Sequence, residues 1–252
     1  MKADVITIFP RMVEAALSEG VVSRARESGL VDVVVRDLRD YTDDRHRTVD
    51  DVSYGGGPGM VMKPAPIFAA VDAITRERGA PSAVVLMTPQ GRRFTHAEAD
   101  RLSRMERIIV ICGRYEGVDE RVAESLVTDE LSIGDYVLTG GELPALVVLD
   151  AVVRLVPGVV GDAASVAHDS FVRGLLDSPH YTRPAMFRDR AVPDVLLSGH
   201  HAEIEKWRRV QRVRRTLARR PDLIEKAALD ADERRELERA RAELKEKGHE
   251  GD

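Results

Sequence analysis

The sequence predicts an α/β fold built on a mostly parallel sheet and followed by a small all-helical domain. Three observations carry this. Short β-rich runs alternate with segments of helical period, three strand ends run straight into polar loops containing Gly or Pro, and the last quarter of the chain turns helical and charged.

Taken in order, the β-rich runs are Ala3 to Phe9, Val31 to Val35, Ala83 to Met87, Arg107 to Cys112 and Val127 to Leu131. Ile67, Ala70, Val71 and Ile74 recur at the helical spacing between them. The polar loops are Thr88-Pro-Gln-Gly91, Gly113-Arg-Tyr-Glu-Gly117 and Ile133-Gly-Asp-Tyr-Val-Leu-Thr-Gly-Gly141. Open α/β sheets bind ligands at the carboxyl ends of their strands, so these loops form the expected site. A helix from about Pro144 to Val156 is apolar on nearly every side, as a buried packing or dimer helix is, and Pro157-Gly158 stops it. From Val159 to about Pro179 the pattern lapses into Gly, Ala, Ser and Asp, as in a mobile interdomain connection, and within it Val160 to Asp169, poor in apolar anchors, is expected to be mobile until a partner orders it. Ser198 is expected to cap a helix running through Trp207 to Arg219; Pro221 opens another, and Asp230 with Glu233 forms a capping-box start to a third. The expected boundaries are 1–160, 161–178 and 179–252. No internal repeat or low-complexity tract is present.

With 252 residues and 43% apolar content the chain fills a real core, which excludes disorder throughout. The 38 basic and 43 acidic residues leave a net charge of −5, so net charge alone does not point to a nucleic acid, and no DNA partner is expected. The eight basic residues from Lys206 to Arg220, uninterrupted by an acid, concentrate positive charge in one segment. A single cysteine, Cys112, excludes an internal disulfide framework, and no Cys/His cluster has zinc-ligand spacing. Closing a hydrophobic strand, Cys112 is expected as a core thiol rather than a nucleophile. The stretch Val5 to Phe9 is too short for a secretory signal, and Asp150 and Arg154 break the longest apolar region, so a soluble, cytoplasmic protein without membrane contact is expected.

The charged stretch Asp43 to Asp51 precedes Tyr54-Gly-Gly-Gly-Pro-Gly59, whose glycines permit close approach of a base or phosphate, or simply make a turn. It is neither a Walker loop nor a dinucleotide fingerprint. Asp44-Arg-His-Arg-Thr-Val-Asp-Asp51, Tyr54 to Met60, Pro89-Gln-Gly-Arg92, Cys112 to Gly117, Ser132 to Leu138, Gly140-Gly-Glu-Leu-Pro-Ala145 and Pro179-His-Tyr-Thr-Arg-Pro184 follow one another in order. Together they resemble the bacterial tRNA (guanine-N1)-methyltransferases of the SPOUT class, from about Asp4 to Leu223.

The resemblance implies a SPOUT-type trefoil-knotted domain, S-adenosylmethionine bound in the knot loops, and a homodimer with a shared active site. It implies methylation of N1 of the guanosine at tRNA position 37, beside the anticodon, with magnesium as a possible assistant. By analogy Met87, Pro89, Gly113, Tyr115, Gly117, Ile133, Gly134, Tyr136, Leu138, Gly140, Gly141 and Pro144 line the cofactor pocket. Asp135 and Val137 fall within the same Ile133–Leu138 run. Glu116 either approaches the cofactor's amino acid end or caps the helix that begins near Val118. Methylating guanine N1 requires removing its proton, and the expected general base is Asp169 in Ala167-His-Asp-Ser-Phe171. Arg154, an isolated cation on an apolar helix, is expected to stabilise charge on guanine O6. Asp50, Asp51, Tyr54, Gly59 and Ser170 are substrate-side candidates. His168 and His200 depart from the family pattern, so His168 is taken as a loop residue. On the basic helix Arg208, Arg212 and Arg215 are expected to meet RNA phosphates, while Trp207 packs inward. A noncatalytic RNA-binding module and a ribose methyltransferase on the same scaffold are the competing functions. Retention of Asp169 and Arg154 argues against the first.

Overall fold

Nine strands, β1 (Lys2–Thr7), β2 (Asp32–Asp37), β3 (Asp50–Val52), β4 (Met60–Met62), β5 (Ala83–Arg93), β6 (Arg107–Cys112), β7 (Asp129–Ser132), β8 (Met186–Phe187) and β9 (Arg190–Ala191), occur among the described residues. The structure is a computed structural model that describes residues 1–161 and 169–249. His168 and most of the expected mobile stretch from Val160 to Asp169 lie outside the described residues. The chain divides into two units, Met1–Ala163 and Ala164–Asp252.

In the first unit five strands form a parallel sheet in the order β2-β1-β6-β5-β7. Helices α1 (Pro10–Leu17), α2 (Gly20–Glu27), α3 (Pro64–Arg78), α4 (His96–Ser103), α5 (Glu120–Ser125) and α6 (Glu142–Val153) cover it. The period of two along each strand assigns the covers. Val85, Met87, Ile108, Val110 and Cys112 face a core shared with α1, α2, α4 and α6. Val84, Leu86, Ile109 and Ile111 face a second core with α3 and α5. Both faces of β6 are therefore buried, which explains its unbroken apolar run. Cys112 is fully buried, and burial pushes its thiol well above the ordinary range.

Several boundaries move for local reasons. The first strand stops at Thr7, whose hydroxyl accepts the Phe9 N–H just before Pro10 opens α1. The third expected strand continues to Arg93 past a register shift between Met87 and Arg92, so its loop Thr88–Gly91 is a bulge held inside the sheet. The buried helix begins at Glu142, after Gly141, and stops at Val153.

The second unit is helical, with the short antiparallel hairpin β8–β9 added. Ser198 does not cap the helix His201–Arg219; its hydroxyl donates to the Val195 carbonyl, ending the turn Asp194–Leu197. The capping box at the last helix does form, with Asp230 Oδ1 accepting the Glu233 N–H at 2.9 Å and Glu233 Oε2 accepting the Asp230 N–H at 2.9 Å. That helix, Ala231–His249, packs Leu237 against Leu175, Val213 and Ile224.

Candidate ligand site at the carboxyl ends of three strands

The neighbouring strands β6 and β7 end in two of the Gly- and Pro-containing loops and β5 carries the third as its Thr88–Gly91 bulge, and together they line a cavity of about 360 Å³. The loop after β6 is held from outside by the β3–β4 hairpin. Glu116 N–H donates to the Met60 carbonyl and Met62 N–H to the Gly117 carbonyl, both at 2.9 Å. Gly59 has φ +86°, a backbone conformation that favours glycine, and it packs against the Glu116 side chain. The loop after β7 is turned by Ser132, whose hydroxyl donates to the Gly134 carbonyl at 3.0 Å. It closes on β6 at Gly141, where N–H donates to the Gly113 carbonyl at 2.8 Å. A Cβ on Gly141 would lie 2.8 Å from both Cys112 Cα and Gly113 N, backbone atoms that have no room to yield.

Met87, Pro89, Gly113, Tyr115, Glu116, Gly117, Ile133, Gly134, Tyr136, Val137, Leu138, Gly140, Gly141 and Pro144 all line this cavity. Asp135 does not; its exposed carboxylate pairs with Arg93 at 2.6 Å on the outer side of the loop. Arg114, Glu120 and Glu130 join the wall without having been singled out, although Arg114 sits inside a motif already noted. Arg114 is the cation and Glu116, Glu120 and Glu130 the carboxylates of a wall whose other side chains are largely apolar.

The substrate-side candidates Asp50, Asp51, Tyr54 and Gly59 lie on the β3–β4 hairpin, with Tyr54 100% exposed. Arg154 is half-buried at the C-cap of α6 and belongs to the first unit. Asp169 and Ser170, both half-buried, belong to the second, where the Ser170 hydroxyl accepts the Asp177 N–H at 3.0 Å. Burial raises Asp177, but the bond from His180 Nε2 at 2.8 Å and the Ser178 N–H outweigh it and hold the carboxyl below its ordinary range.

The basic helix is thinner in available charge than its sequence. Arg212 is only 9% exposed and pairs with the half-exposed Glu205, so it is corrected from an RNA contact to an ion pair within its own helix. Arg209 pairs with Asp232 at 3.1 Å, Arg214 with Glu243 at 3.0 Å, and Arg220 with Asp222 at 2.7 Å. Arg208, Arg215 and Arg219 have no acidic partner among the described residues. Spaced by seven and four, they fall on one helix face. His200 is the exposed N-cap of this helix and makes no side-chain cap bond. Trp207 is half-buried, its ring centroid 6.3 Å from that of Tyr181. No helix is long and apolar enough to cross a membrane, and no group of three or more His, Cys, Asp or Glu is placed to hold a metal among the described residues.

A parallel sheet with a loop-walled cavity at the carboxyl ends of three adjacent strands defines a ligand-binding α/β protein, here carrying an extra helical unit with a cationic stripe. The chain belongs to the tRNA (guanine-1)-methyltransferase TrmD family, whose model matches residues 1–226. It is 55% identical over 247 residues to the tRNA (guanine-N(1)-)-methyltransferase of Pelotomaculum thermopropionicum, covering 98% of each chain. To the Geobacter metallireducens protein of the same name it is 55% identical over 238 residues, 94% of this chain and 96% of that one. The Dehalococcoides mccartyi enzyme is 51% identical over 248 residues, 98% and 100% of the two chains.

Proposed function

We propose that the protein transfers a methyl group from S-adenosylmethionine to N1 of the guanosine at tRNA position 37, next to the anticodon. The cavity at the ends of β5, β6 and β7 is the observation that carries this reading, joined to family membership. The residues fit the cofactor. Glycine at 141 leaves backbone space where a side chain would not fit, apolar Ile133, Val137 and Leu138 offer a surface for a flat base, and three wall carboxylates suit a cationic ligand. Bound there, S-adenosylmethionine would supply an electrophilic methyl group.

The protein's part is proton handling and orientation. Asp169 accepts the guanine N1 proton, freeing the lone pair for attack, and the Arg154 guanidinium holds the negative charge that develops on O6. The β3–β4 hairpin, hydrogen-bonded to the Glu116 loop, carries Asp50, Asp51 and Tyr54, which we assign to substrate contact. The chain is read as a SPOUT trefoil knot, with a methyltransferase domain over 1–160, a connection over 161–178 and a tRNA-binding domain over 179–252.

A homodimer follows from one exposed face. Leu143 and Val147 on α6, with Phe9 and Met12 at the start of α1, are exposed large apolar side chains that a second copy would cover. Such a dimer acts on tRNA in the cytoplasm.

Reaction of the protein with labelled cofactor and tRNA, followed by nucleoside mapping, is expected to yield 1-methylguanosine at position 37. A 2′-O-methyl nucleoside would assign the ribose methyltransferase, and no product with intact tRNA binding would assign the RNA-binding module.

The stripe Arg208, Arg215 and Arg219 sets a second expectation. Three phosphate contacts correspond to a log–log salt slope of about −2 to −3 for tRNA binding. Replacing all three by Gln is expected to flatten it while S-adenosylmethionine affinity stays unchanged. An unaltered slope would move the RNA surface elsewhere.

A further inference from the structure

The carboxylate of Glu142 is fully buried in the first turn of α6, among the apolar residues Ala145, Val148 and Leu149. A buried carboxylate persists only where its oxygens are satisfied, and both of these are. Thr7 Oγ1, at the end of β1, donates to Oε1 at 2.8 Å. Arg114 Nε, in the loop after β6, donates to Oε2 at 3.1 Å. Glu142 itself follows directly on the loop after β7, so one carboxylate ties together three segments far apart in the chain.

Two of those segments are cavity walls. Arg114 lines the cavity, its backbone bridges Gly140, its N–H reaches Met62 Sδ at 3.1 Å, and its guanidinium carbon lies 4.4 Å from the centre of the Phe9 ring. A Cβ on Gly140 would come within 2.2 Å of Arg114 Nε and 2.6 Å of Glu142 Oε2, so the wall is packed directly on this ion pair. For stability alone, a well-packed apolar side chain serves such a position at least as well as a buried charge. What a charge adds is a defined direction for Arg114.

We propose that Glu142 is a positioning residue for the cofactor site: by holding Arg114 and Thr7 it fixes the 113–117 and 139–141 loops in the spacing that S-adenosylmethionine requires. The inference rests on the cofactor reading of the cavity and adds to it a residue that does not line the cavity. Glu142→Gln keeps the shape but removes the negative charge that holds the Arg114 guanidinium. Calorimetry on the full chain should show S-adenosylmethionine affinity reduced by about ten-fold or more, the worth of one charge-assisted hydrogen bond. The KM for cofactor should rise in step, with kcat at saturating cofactor and tRNA within about three-fold of wild type.

Arg114→Lys, which keeps the charge and loses Nε, should likewise weaken S-adenosylmethionine binding, and the double variant should bind no worse than the weaker single, because the two side chains act as one unit. Thr7→Val should weaken binding and Thr7→Ser restore it; this pair carries the test should Glu142→Gln not fold. Unchanged affinity in these variants, a loss confined to kcat, or additive single effects would overturn the inference. Amide hydrogen exchange without ligand separates it from the cofactor reading. Faster exchange in both loops of Glu142→Gln, in a protein whose wild type takes up no S-adenosylmethionine, would keep the positioning role of Glu142 for the two loops and overturn the choice of ligand. Unchanged exchange with normal cofactor uptake would do the reverse.

Discussion

Asp169→Asn is expected to lower single-turnover methylation by about two to four orders of magnitude, the usual worth of a general base, with tRNA and S-adenosylmethionine binding intact. Asparagine keeps the shape and hydrogen-bonding reach of the side chain but does not take up the N1 proton, so the guanine lone pair stays unavailable. Because Asp169 is half-buried near the start of the second unit's described chain, an isosteric change leaves its packing in place. Arg154→Lys makes the companion measurement: it keeps a positive charge at the C-cap of α6 and loses the planar fork, so a rate defect there shows that geometry as well as charge is used. A rate near wild type for Asp169→Asn with cofactor saturating would remove Asp169 as the base. The neighbouring His168, or a water held by Arg154, would then be the next candidate.

Complementation between two inactive chains is the second large effect. If Asp169 of one protomer serves the cofactor of the other, neither Asp169→Ala nor Leu138→Arg alone leaves a working site in its own homodimer. The second variant puts a charge into the cavity wall, where Leu138 stands. Co-refolding the two chains in equal amounts should recover about a quarter of the wild-type rate, since about half of the dimers are mixed and each mixed dimer assembles one whole site. The recovered activity should depend on reassortment and be absent when preformed homodimers are mixed without exchange. No recovery after verified exchange would mean that each protomer carries its own complete site.

Much of this site was legible in the residues. The loops at 88–91, 113–117 and 133–141 announce themselves by Gly and Pro directly after apolar strand runs, and the rule that α/β sheets bind at strand carboxyl ends makes them one site before their contacts are known. The cavity wall draws on all three. Asp135 was misplaced because a run of loop residues does not show which side chains turn inward, and Arg93, its partner, is 42 positions away. The basic helix misled in the same way. Eight cations in fifteen residues look like one charged surface, but Asp232 and Glu243 from the last helix, Glu205 from an earlier turn and Asp222 from just beyond the helix occupy four of them.

What the sequence determined by itself was everything whose cause lies within a few residues. The strand runs carry their own burial, Pro10 and the Asp230–Glu233 box open their own helices, and the ordered motifs carry the family. Only the tertiary structure decided which polar groups are used and which are spent inside the fold. Glu142 shows why: it stands in an unremarkable first turn, and it becomes a buried link between cavity loops only because Thr7, 135 positions away, and Arg114, 28 positions away, are brought to its two oxygens. Burial of a carboxylate costs too much without those partners, and partners so distant exist only once the strands have paired.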